Sequence, residues 1–298
     1  MNSIHAGLGA VSSPLVGGLS YLLGRGGANT SVRETCKGIN SKVPASIPTN
    51  TIPSTVPTKD ECETMVVDAL AGAATLKGMS AQTRADLARQ CAVACNAATA
   101  EMVTETIKYK GSYETGRGEE TIAWSATIGV LRELAETLEA IATLKSSSLP
   151  VWYDATDGRH KTVVFPRGLY QHMLFSGYSA ELWFKDGPPK RCNPIDNGEG
   201  AWFLLGAGNQ ATVIGCDVAH LVFATGMSVI CKLNPVNDYL LPHMNKAFAP
   251  LVQANIVQFC CGGVPIASRF VHDERLSGIH MTGSDKTYDA IQFGPLPG

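Results

Sequence analysis

The stretch from Glu199 to Gly294 restricts the fold of this 298-residue chain more than any other part of it. Apolar runs of strand length alternate there with longer amphipathic runs, and small or turn-forming residues stand at nearly every junction. The predicted strands are Trp202–Leu205, Met227–Lys232, Ile256–Cys261 and Leu276–Met281, and the predicted helices between the first three are Thr212–Thr225 and Tyr239–Val252. Because the strands are apolar throughout rather than at alternate positions, the stretch predicts a parallel sheet covered by helices.

The carboxyl ends of these predicted strands carry residues that suit an anionic ligand. The four ends read GAGN from Gly206, KLNP from Lys232, CCGG from Cys260 and MTGS from Met281. Each contributes backbone N–H groups, a hydroxyl, an amide or an ammonium group. In a parallel sheet these ends meet at one edge, where helix N-termini direct unpaired N–H groups outward. We therefore expect a binding site at that edge.

Composition divides the chain into an N-terminal extension and one domain. Residues 1–57 are rich in Gly, Ser, Thr and Pro and predict a poorly ordered extension. Within the domain, residues 58–298, the first part predicts a helical layer over 58–145. Residues 146–200 predict a strand-rich arm punctuated by glycine and proline turns, and residues 201–298 hold the parallel sheet.

The helical layer carries both cap and packing signals. Thr58 precedes two acidic residues and predicts the N-cap of a first helix, and Ser80 is placed to begin a second. Apolar residues recur at helical spacing from Leu131 to Ala142 and predict a third helix with one buried face.

Charge and cysteine usage exclude several classes of function. A net charge of −2 gives no electrostatic reason to bind nucleic acid or an anionic membrane, and no run of 18 apolar residues predicts a membrane span. The nine cysteines lack the spacing of a metal site or of a disulfide framework, so we predict no metal and reduced thiols. Reduced thiols indicate an intracellular, cytoplasmic protein, while organelle targeting by residues 1–57 stays open.

Gly206 to Ala211 reads G-x-G-x-x-A after a predicted strand and before a predicted helix, which is the context of a dinucleotide-binding turn. The acidic residue expected at the end of the next strand is replaced by Lys232. An ammonium group donates to ribose hydroxyls or to a 2′-phosphate but cannot accept from them. The standard dinucleotide fingerprint is therefore met at its glycine turn but not at its acidic residue.

The order of these motifs resembles the N-terminal half of the aldehyde dehydrogenase superfamily, from about Glu61 to the C-terminus. The KxNPVNDY and H-x-TGSD segments are most similar to a divergent branch that also resembles bioluminescence-type acyl-CoA reductases. The resemblance implies an α/β fold with an N-terminal helical layer on an open, parallel, Rossmann-like sheet, truncated relative to the family. It also implies that the arm makes subunit contacts.

The resemblance implies NAD or NADP as cofactor. By this resemblance, Asn209 corresponds to the amide that donates to the oxyanion. Lys232 would contact the ribose, Gly263 the adenine side of the cofactor, and Ser284 its pyrophosphate. The full cofactor-binding set implied in this way is Leu205, Gly206, Lys232, Asn234, Gly262, Gly263, Thr282, Gly283 and Ser284. Because Pro235 stands where the family often has a glutamate, the choice between NAD and NADP stays open.

The family supplies its cysteine nucleophile and glutamate base after the TGS turn, and the sequence, which ends at Gly298, contains neither segment. We therefore expect an NAD(P)-binding portion of an aldehyde dehydrogenase-like oxidoreductase that is inactive alone and acts as a homo-oligomer or with a catalytic-half partner chain. One alternative is a non-catalytic nucleotide-binding or regulatory module. Another is a short-chain-type dehydrogenase, which lacks its Tyr-x-x-x-Lys helix here.

Overall fold

The computed structural model describes residues 3–6, 56–111, 114–143, 152–166, 169–185 and 198–294. The strands are β1 (Ser3–Ala6), β2 (Trp152–Asp154), β3 (His160–Phe165), β4 (Ala180–Phe184), β5 (Ala201–Leu205), β6 (Ser228–Lys232), β7 (Val257–Cys260) and β8 (Gly278–Met281). The α-helices are α1 (Lys59–Gly78), α2 (Ala81–Lys110), α3 (Arg117–Ala142), α4 (Leu169–Leu174), α5 (Thr212–Ala219), α6 (Leu241–Ala247), α7 (Ala249–Gln253), α8 (Val264–Val271) and α9 (Asp285–Phe293). Shorter turns are the 3-10 segments Glu114–Gly116 and Pro235–Leu240 and the π turn His220–Ala224.

Five strands form a parallel sheet in the order β1-β8-β5-β6-β7. The four strands predicted from the apolar runs are all present, with bounds that differ by one or two residues. Their carboxyl ends are in register, because Leu205 pairs with both Met281 and Lys232, and Lys232 pairs with Cys260. The α/β class and the parallel sheet are therefore confirmed.

Both faces of the sheet are buried, which explains why its strands are apolar at every position. One face, with Leu204 and Cys231, packs against α2, α3, α5, α6 and α7. The other face, with Phe203 and Ile230, packs against α1 and α8. The N-terminal helices are thus divided between the two faces. Burial of apolar surface stabilises a folded chain by about 25 cal/mol per Å², so these two cores are the main source of stability.

The helix caps follow the sequence signals. Thr58 accepts from the Glu61 N–H at 3.2 Å while its own N–H donates to the Glu61 carboxylate at 2.7 Å, which completes a capping box. Ser80 accepts from the Thr83 N–H at 3.1 Å and begins α2. Gly111 ends α2 in the left-handed conformation that suits glycine. The predicted starts of the first two helices are confirmed.

The predicted helix Tyr239–Val252 is wrong as a single element. It is divided into the 3-10 turn Pro235–Leu240 and the short helices α6 and α7. Pro242 lies in the first turn of α6 and Pro250 in the first turn of α7, positions that proline tolerates because no intrahelical N–H bond is lost there. A proline at position 250 inside one continuous helix would remove a bond and clash with the preceding turn, so the chain restarts instead.

The edge strand β1 was not predicted. Ser3–Ala6 pairs in parallel with β8, from Ser3 opposite Gly278 to Ala6 opposite Met281. It lies within the extension predicted to be poorly ordered, most of which (residues 7–55) lies outside the described residues, so that prediction stays untested. Among the described residues, no helix combines the length and apolar character that crossing a bilayer requires.

The arm is a separate antiparallel sheet in the order β2-β3-β4. Its three strands lie within residues 146–200, and the short helix α4 between β3 and β4 was not predicted. Several large apolar side chains of the arm are exposed: Tyr153, Val163, Leu169, Met173, Tyr178, Leu182 and Trp183.

Candidate functional site at the strand ends

The four loops that follow β5, β6, β7 and β8 lie side by side along the carboxyl edge of the sheet. Backbone hydrogen bonds continue past the strands and join the loops. The Gly206 N–H donates to the Lys232 carbonyl at 3.0 Å, and the Leu233 N–H donates to the Cys260 carbonyl at 2.8 Å. The Thr282 N–H donates to the Leu205 carbonyl at 3.4 Å. The structure therefore brings together the motifs that the sequence placed at four separate strand ends.

Lys232 is buried at the end of β6, with 4% of its surface exposed. Its Nζ donates to the carbonyl oxygen of Gly262 at 2.6 Å and to that of Leu233 at 2.9 Å. Burial lowers the pKa of the ammonium group, because the charged form loses hydration. An ammonium group has three N–H donors, so these two bonds leave one donor for a ligand. The clearest role of Lys232 is to join the β6 and β7 ends.

The loop that carries Asn209 is held by Asn237, which sequence reasoning missed. The Asn237 amide, buried under the loop, donates from Nδ2 to the Ala207 carbonyl at 2.9 Å and to the Gly208 carbonyl at 3.2 Å. Asn209 itself is exposed in this loop. The two bonds from Asn237 fix the backbone of the residues that precede it.

Two close backbone approaches fix the shape of this edge. A Cβ on Gly208 would come within 2.8 Å of the Asn234 side chain. Asn234 in turn accepts from the Val236 N–H at 3.2 Å and caps the following 3-10 turn. Gly262 has φ +127°, and a Cβ there would meet Ile266 at 2.7 Å. Gly262 is therefore required by its backbone conformation, whereas a Cβ at Gly208 would meet the amide end of a side chain that can move.

Gly263 and Ser284 begin the two helices that face outward at this edge. Gly263 is exposed and is the N-cap residue of α8, with no side-chain cap. Ser284 is exposed and caps the nine-residue helix α9 by accepting from the Thr287 N–H at 3.3 Å. The Ser284 hydroxyl also lies 3.2 Å from the Thr287 hydroxyl, and its hydrogen is left for a phosphate group when Thr287 is the donor of that pair. The Lys286 N–H is already engaged, because it donates to the Asp285 carboxylate at 2.8 Å.

A second polar group missed by sequence reasoning lies beside Thr282. The Thr282 hydroxyl donates to Oδ2 of Asp217 on α5 at 2.9 Å. Oδ1 of the same carboxylate is 3.5 Å from Nε2 of His280 on β8. Asp217 and His280 are both largely buried, with 16% and 8% of their side chains exposed. His280 is the histidine of the H-x-TGSD segment, whereas the only sequence signal of Asp217 is an acidic residue within a largely apolar run.

The seven cysteines described by the structure are free thiols, and burial raises the pKa of each one. Cys260 and Cys261, the two at the edge of the sheet, are both buried. The pKa of Cys261 is raised to about 12, first by burial and then by the neighbouring Asp238. A thiol with so high a pKa is a poor nucleophile at neutral pH. Within the described residues, no group of three or more His, Cys, Asp or Glu side chains is arranged to hold a metal ion.

A nicotinamide dinucleotide can be tested against this geometry. Its pyrophosphate fits the start of α9 only in part, because the Lys286 N–H already donates to the Asp285 carboxylate at 2.8 Å and the Thr287 N–H donates to Ser284 Oγ at 3.3 Å, which leaves the Ser284 hydroxyl as the side-chain contact there. The ribose end fits less directly, because the Lys232 ammonium is buried and two of its donors are engaged. An open depression of about 460 Å³ elsewhere on the surface, lined by Ala100, Glu101, Thr104, Glu105 and His243, includes none of the strand-end residues.

No protein-family profile and no curated protein matches the sequence. Solved structures do match the fold. They include an NAD-dependent benzaldehyde dehydrogenase from Corynebacterium glutamicum (17% identity, TM-score 0.53, covering 81% of this chain and 45% of that one). A second is the glyceraldehyde-3-phosphate dehydrogenase GapN from Methanocaldococcus jannaschii complexed with NADP (12% identity, TM-score 0.54, covering 80% of this chain and 44% of that one). A third is proline utilization A from Bdellovibrio bacteriovorus (13% identity, TM-score 0.53, covering 80% of this chain and 21% of that one).

The chain spans less than half the length of each of these three proteins. At these identities the likeness concerns the fold alone. The described part of the chain therefore has the fold of the aldehyde dehydrogenase superfamily, as the resemblance of its motifs implied.

Proposed function

We propose that this chain is the nicotinamide dinucleotide-binding portion of an aldehyde dehydrogenase-like oxidoreductase that acts on an aldehyde or acyl group. The observation that carries the proposal is the register of the four strand ends, which aligns Leu205, Lys232, Cys260 and Met281 along one edge of a parallel sheet. Ligands of open α/β sheets bind outside the carboxyl ends of the strands. The aldehyde dehydrogenase fold adds support, because two neighbours are described as NAD-dependent or complexed with NADP.

In this proposal the chain's own residues bind and orient the cofactor, which when bound supplies hydride transfer. The Ser284 hydroxyl, at the start of α9, holds the pyrophosphate, with Thr282 and Gly283 forming the turn that precedes it. Lys232 lies under the ribose and directs its remaining donor there, with Asn234 beside it. Leu205 and Gly206 border the same edge, and Gly262 and Gly263 allow the adenine side to approach the backbone.

Asn209 is assigned to the reacting carbonyl rather than to the cofactor. The support for this assignment is that Asn209 is exposed and that Asn237 holds the backbone of its loop. A preorganised donor of this kind contributes about 3 kcal/mol to stabilisation of a transition state. We assign no nucleophile to the described cysteines, because their thiols are protonated at neutral pH.

The protonated thiols favour a second candidate function, a non-catalytic nucleotide-binding or regulatory module. It uses the same dinucleotide site and differs only in having no reaction to perform. The two candidates are separated by assay of aldehyde oxidation with NAD⁺ and NADP⁺. The binding-portion proposal expects turnover only when a catalytic-half chain is added, whereas the module expects none with any partner. The exposed apolar side chains of the arm support a homo-oligomer or such a partner chain.

The test is calorimetric titration of the purified chain with NAD⁺ and NADP⁺, using Ser284→Asp as the informative variant. Aspartate is as good an N-cap as serine, so α9 keeps its cap, but the carboxylate repels a pyrophosphate. We expect saturable binding by the unchanged chain and at least tenfold weaker binding by the variant. Ser80→Asp is the matched control, because Ser80 caps α2 and lies outside the strand-end loops. Absence of binding of either nucleotide, or equal binding by Ser284→Asp, contradicts the proposal.

A further inference from the structure

We propose that Asp217 is a positioning residue that holds the Thr282-Gly283-Ser284 turn in the conformation that receives the dinucleotide. The inference rests on the proposed function, since it concerns the same site. Asp217 is on α5, which follows β5, and the turn follows β8. Its carboxylate thus joins helix α5 to the turn after β8 through side chains, in addition to the backbone bond between Thr282 and Leu205.

The geometry of the contact is specific. The Thr282 hydroxyl donates to Oδ2 at 2.9 Å, while Oδ1 faces Nε2 of His280 at 3.5 Å. Nε2 of His280 is buried and, among the described residues, has no hydrogen-bond partner at normal distance. The carboxylate is therefore held between one firm hydrogen bond and one close polar neighbour. This fixes the χ1 rotamer of Thr282, the residue that leads directly into Gly283 and Ser284.

A largely buried carboxylate at this position has no packing reason to be there. Helix α5 packs on the face of the sheet that holds Leu204 and Cys231, in a core whose buried threonines, Thr127 and Thr212, are neutral and hydrogen-bonded to each other. Asp217 is close enough to that core to help raise the pKa of Cys231, although burial is the larger cause. Burying a charge among apolar residues is costly unless specific partners compensate for the loss of water. The partners present are the turn residue Thr282 and its strand neighbour His280, so the compensation is concentrated at the turn.

The π turn His220–Ala224 begins three residues after Asp217. A π turn replaces regular i→i−4 bonds with wider ones and is frequent at functional sites in helices. Here it ends the regular part of α5 just after Asp217. Asp217, which orients the Thr282-Gly283-Ser284 turn, thus lies in the last turn of regular α-helix before the π segment.

The experiment measures the affinity for NAD⁺ and NADP⁺ of four single variants and one double variant, with urea unfolding of each. Asp217→Leu and Thr282→Val remove the hydrogen bond with little change in side-chain size. Asp217→Asn keeps an acceptor for the hydroxyl, and Thr282→Ser keeps the hydroxyl. We expect about tenfold weaker nucleotide binding for the first pair and near-normal binding for the second. The double variant Asp217→Leu/Thr282→Val should bind no more weakly than either single variant, because both remove one interaction.

A merely structural role lowers the unfolding free energy of Asp217→Leu without changing the affinity of the molecules that stay folded. Unchanged nucleotide affinity for Asp217→Leu and Thr282→Val, or losses that multiply in the double variant, overturns the inference while leaving the proposed function intact. Absence of nucleotide binding by the unchanged chain overturns both. Should Asp217→Leu fail to fold, the comparison of Thr282→Val with Thr282→Ser decides the question alone.

Discussion

Replacing Lys232 by methionine should lower the free energy of unfolding by about 2 kcal/mol at pH 7. The substitution keeps the buried aliphatic stem and removes the ammonium group that donates to the carbonyls of Leu233 and Gly262. Leaving a buried carbonyl without its donor costs about 1–3 kcal/mol, so two of them cost roughly 2–6 kcal/mol. Relief of the desolvation of the buried ammonium offsets part of that loss by a few kcal/mol. A net loss of about 2 kcal/mol remains.

Urea unfolding followed by tryptophan fluorescence measures this difference. With a urea dependence of about 2 kcal/mol per molar, the midpoint should fall by about 1 M. Lys286→Met is the matched control, since Lys286 is exposed on α9, and it should change the free energy of unfolding by less than about 0.5 kcal/mol. Equal midpoints for the unchanged chain and Lys232→Met would refute the assignment of Lys232 as the link between the β6 and β7 ends.

The pH dependence gives a second, independent test of Lys232. Its pKa is lowered in the folded chain from the ordinary 10.5, so the unfolded chain binds more protons between the lowered pKa and 10.5. Stability rises with pH wherever the unfolded state binds more protons. The difference in unfolding free energy between the unchanged chain and Lys232→Met should therefore widen as the pH rises through this window. A difference that stays constant up to pH 10.5 contradicts burial as the cause.

Three further predictions concern the same edge. Gly262→Ala should lower the free energy of unfolding in urea by about 1–3 kcal/mol, because φ at Gly262 is +127° and the new Cβ would meet Ile266 at 2.7 Å. Gly78→Ala is the control: a Cβ there has nothing within 4 Å, so its effect should be neutral or stabilising. Asn237→Asp should lower the free energy of unfolding by about 3 kcal/mol, since a carboxylate cannot donate to the two carbonyls that the Asn237 amide now satisfies. Asn245→Asp, the control, removes one partly buried hydrogen bond to Leu241 and should lower it by about 1 kcal/mol or less. The thiols of Cys260 and Cys261 should resist alkylation at pH 8 until the chain is unfolded, as mass spectrometry would detect; rapid modification of the native chain contradicts their raised pKa values.

The sheet could be predicted from sequence because its strands are buried on both faces. Continuous apolar runs bounded by turn residues, such as Trp202–Leu205 and Met227–Lys232, are typical of strands in a covered parallel sheet. The helix starts at Thr58 and Ser80 could be predicted because capping is a local interaction. The division of Tyr239–Val252 into two helices could have been foreseen from Pro250. The pairing of β1 with β8 could not be predicted from sequence. A segment of four residues has no periodicity that marks it as a strand, and its conformation depends on the sheet edge to which it bonds.

For the site, glycine patterns and strand ends sufficed to indicate where polar groups collect. Patterns along the chain could not reveal side chains that act from a distance. Asn237 holds the Asn209 loop across about 30 positions of sequence, and Asp217 reaches Thr282 across 65. The orientation of Lys232 also depends on the Gly262 carbonyl of another strand end. Such contacts are set by strand order and register, which follow only from the assembled fold.

The most direct measurement is hydrogen–deuterium exchange of the full chain with and without saturating NADP⁺ and NAD⁺. Binding at the strand ends predicts slower exchange of backbone N–H groups in four loops, at residues 206–209, 232–234, 262–263 and 282–285, for at least one nucleotide. It predicts no change in the arm strands β2, β3 and β4. Protection confined to other parts of the chain, or unchanged exchange in all four loops with both nucleotides, would contradict a dinucleotide site at the carboxyl edge of this sheet.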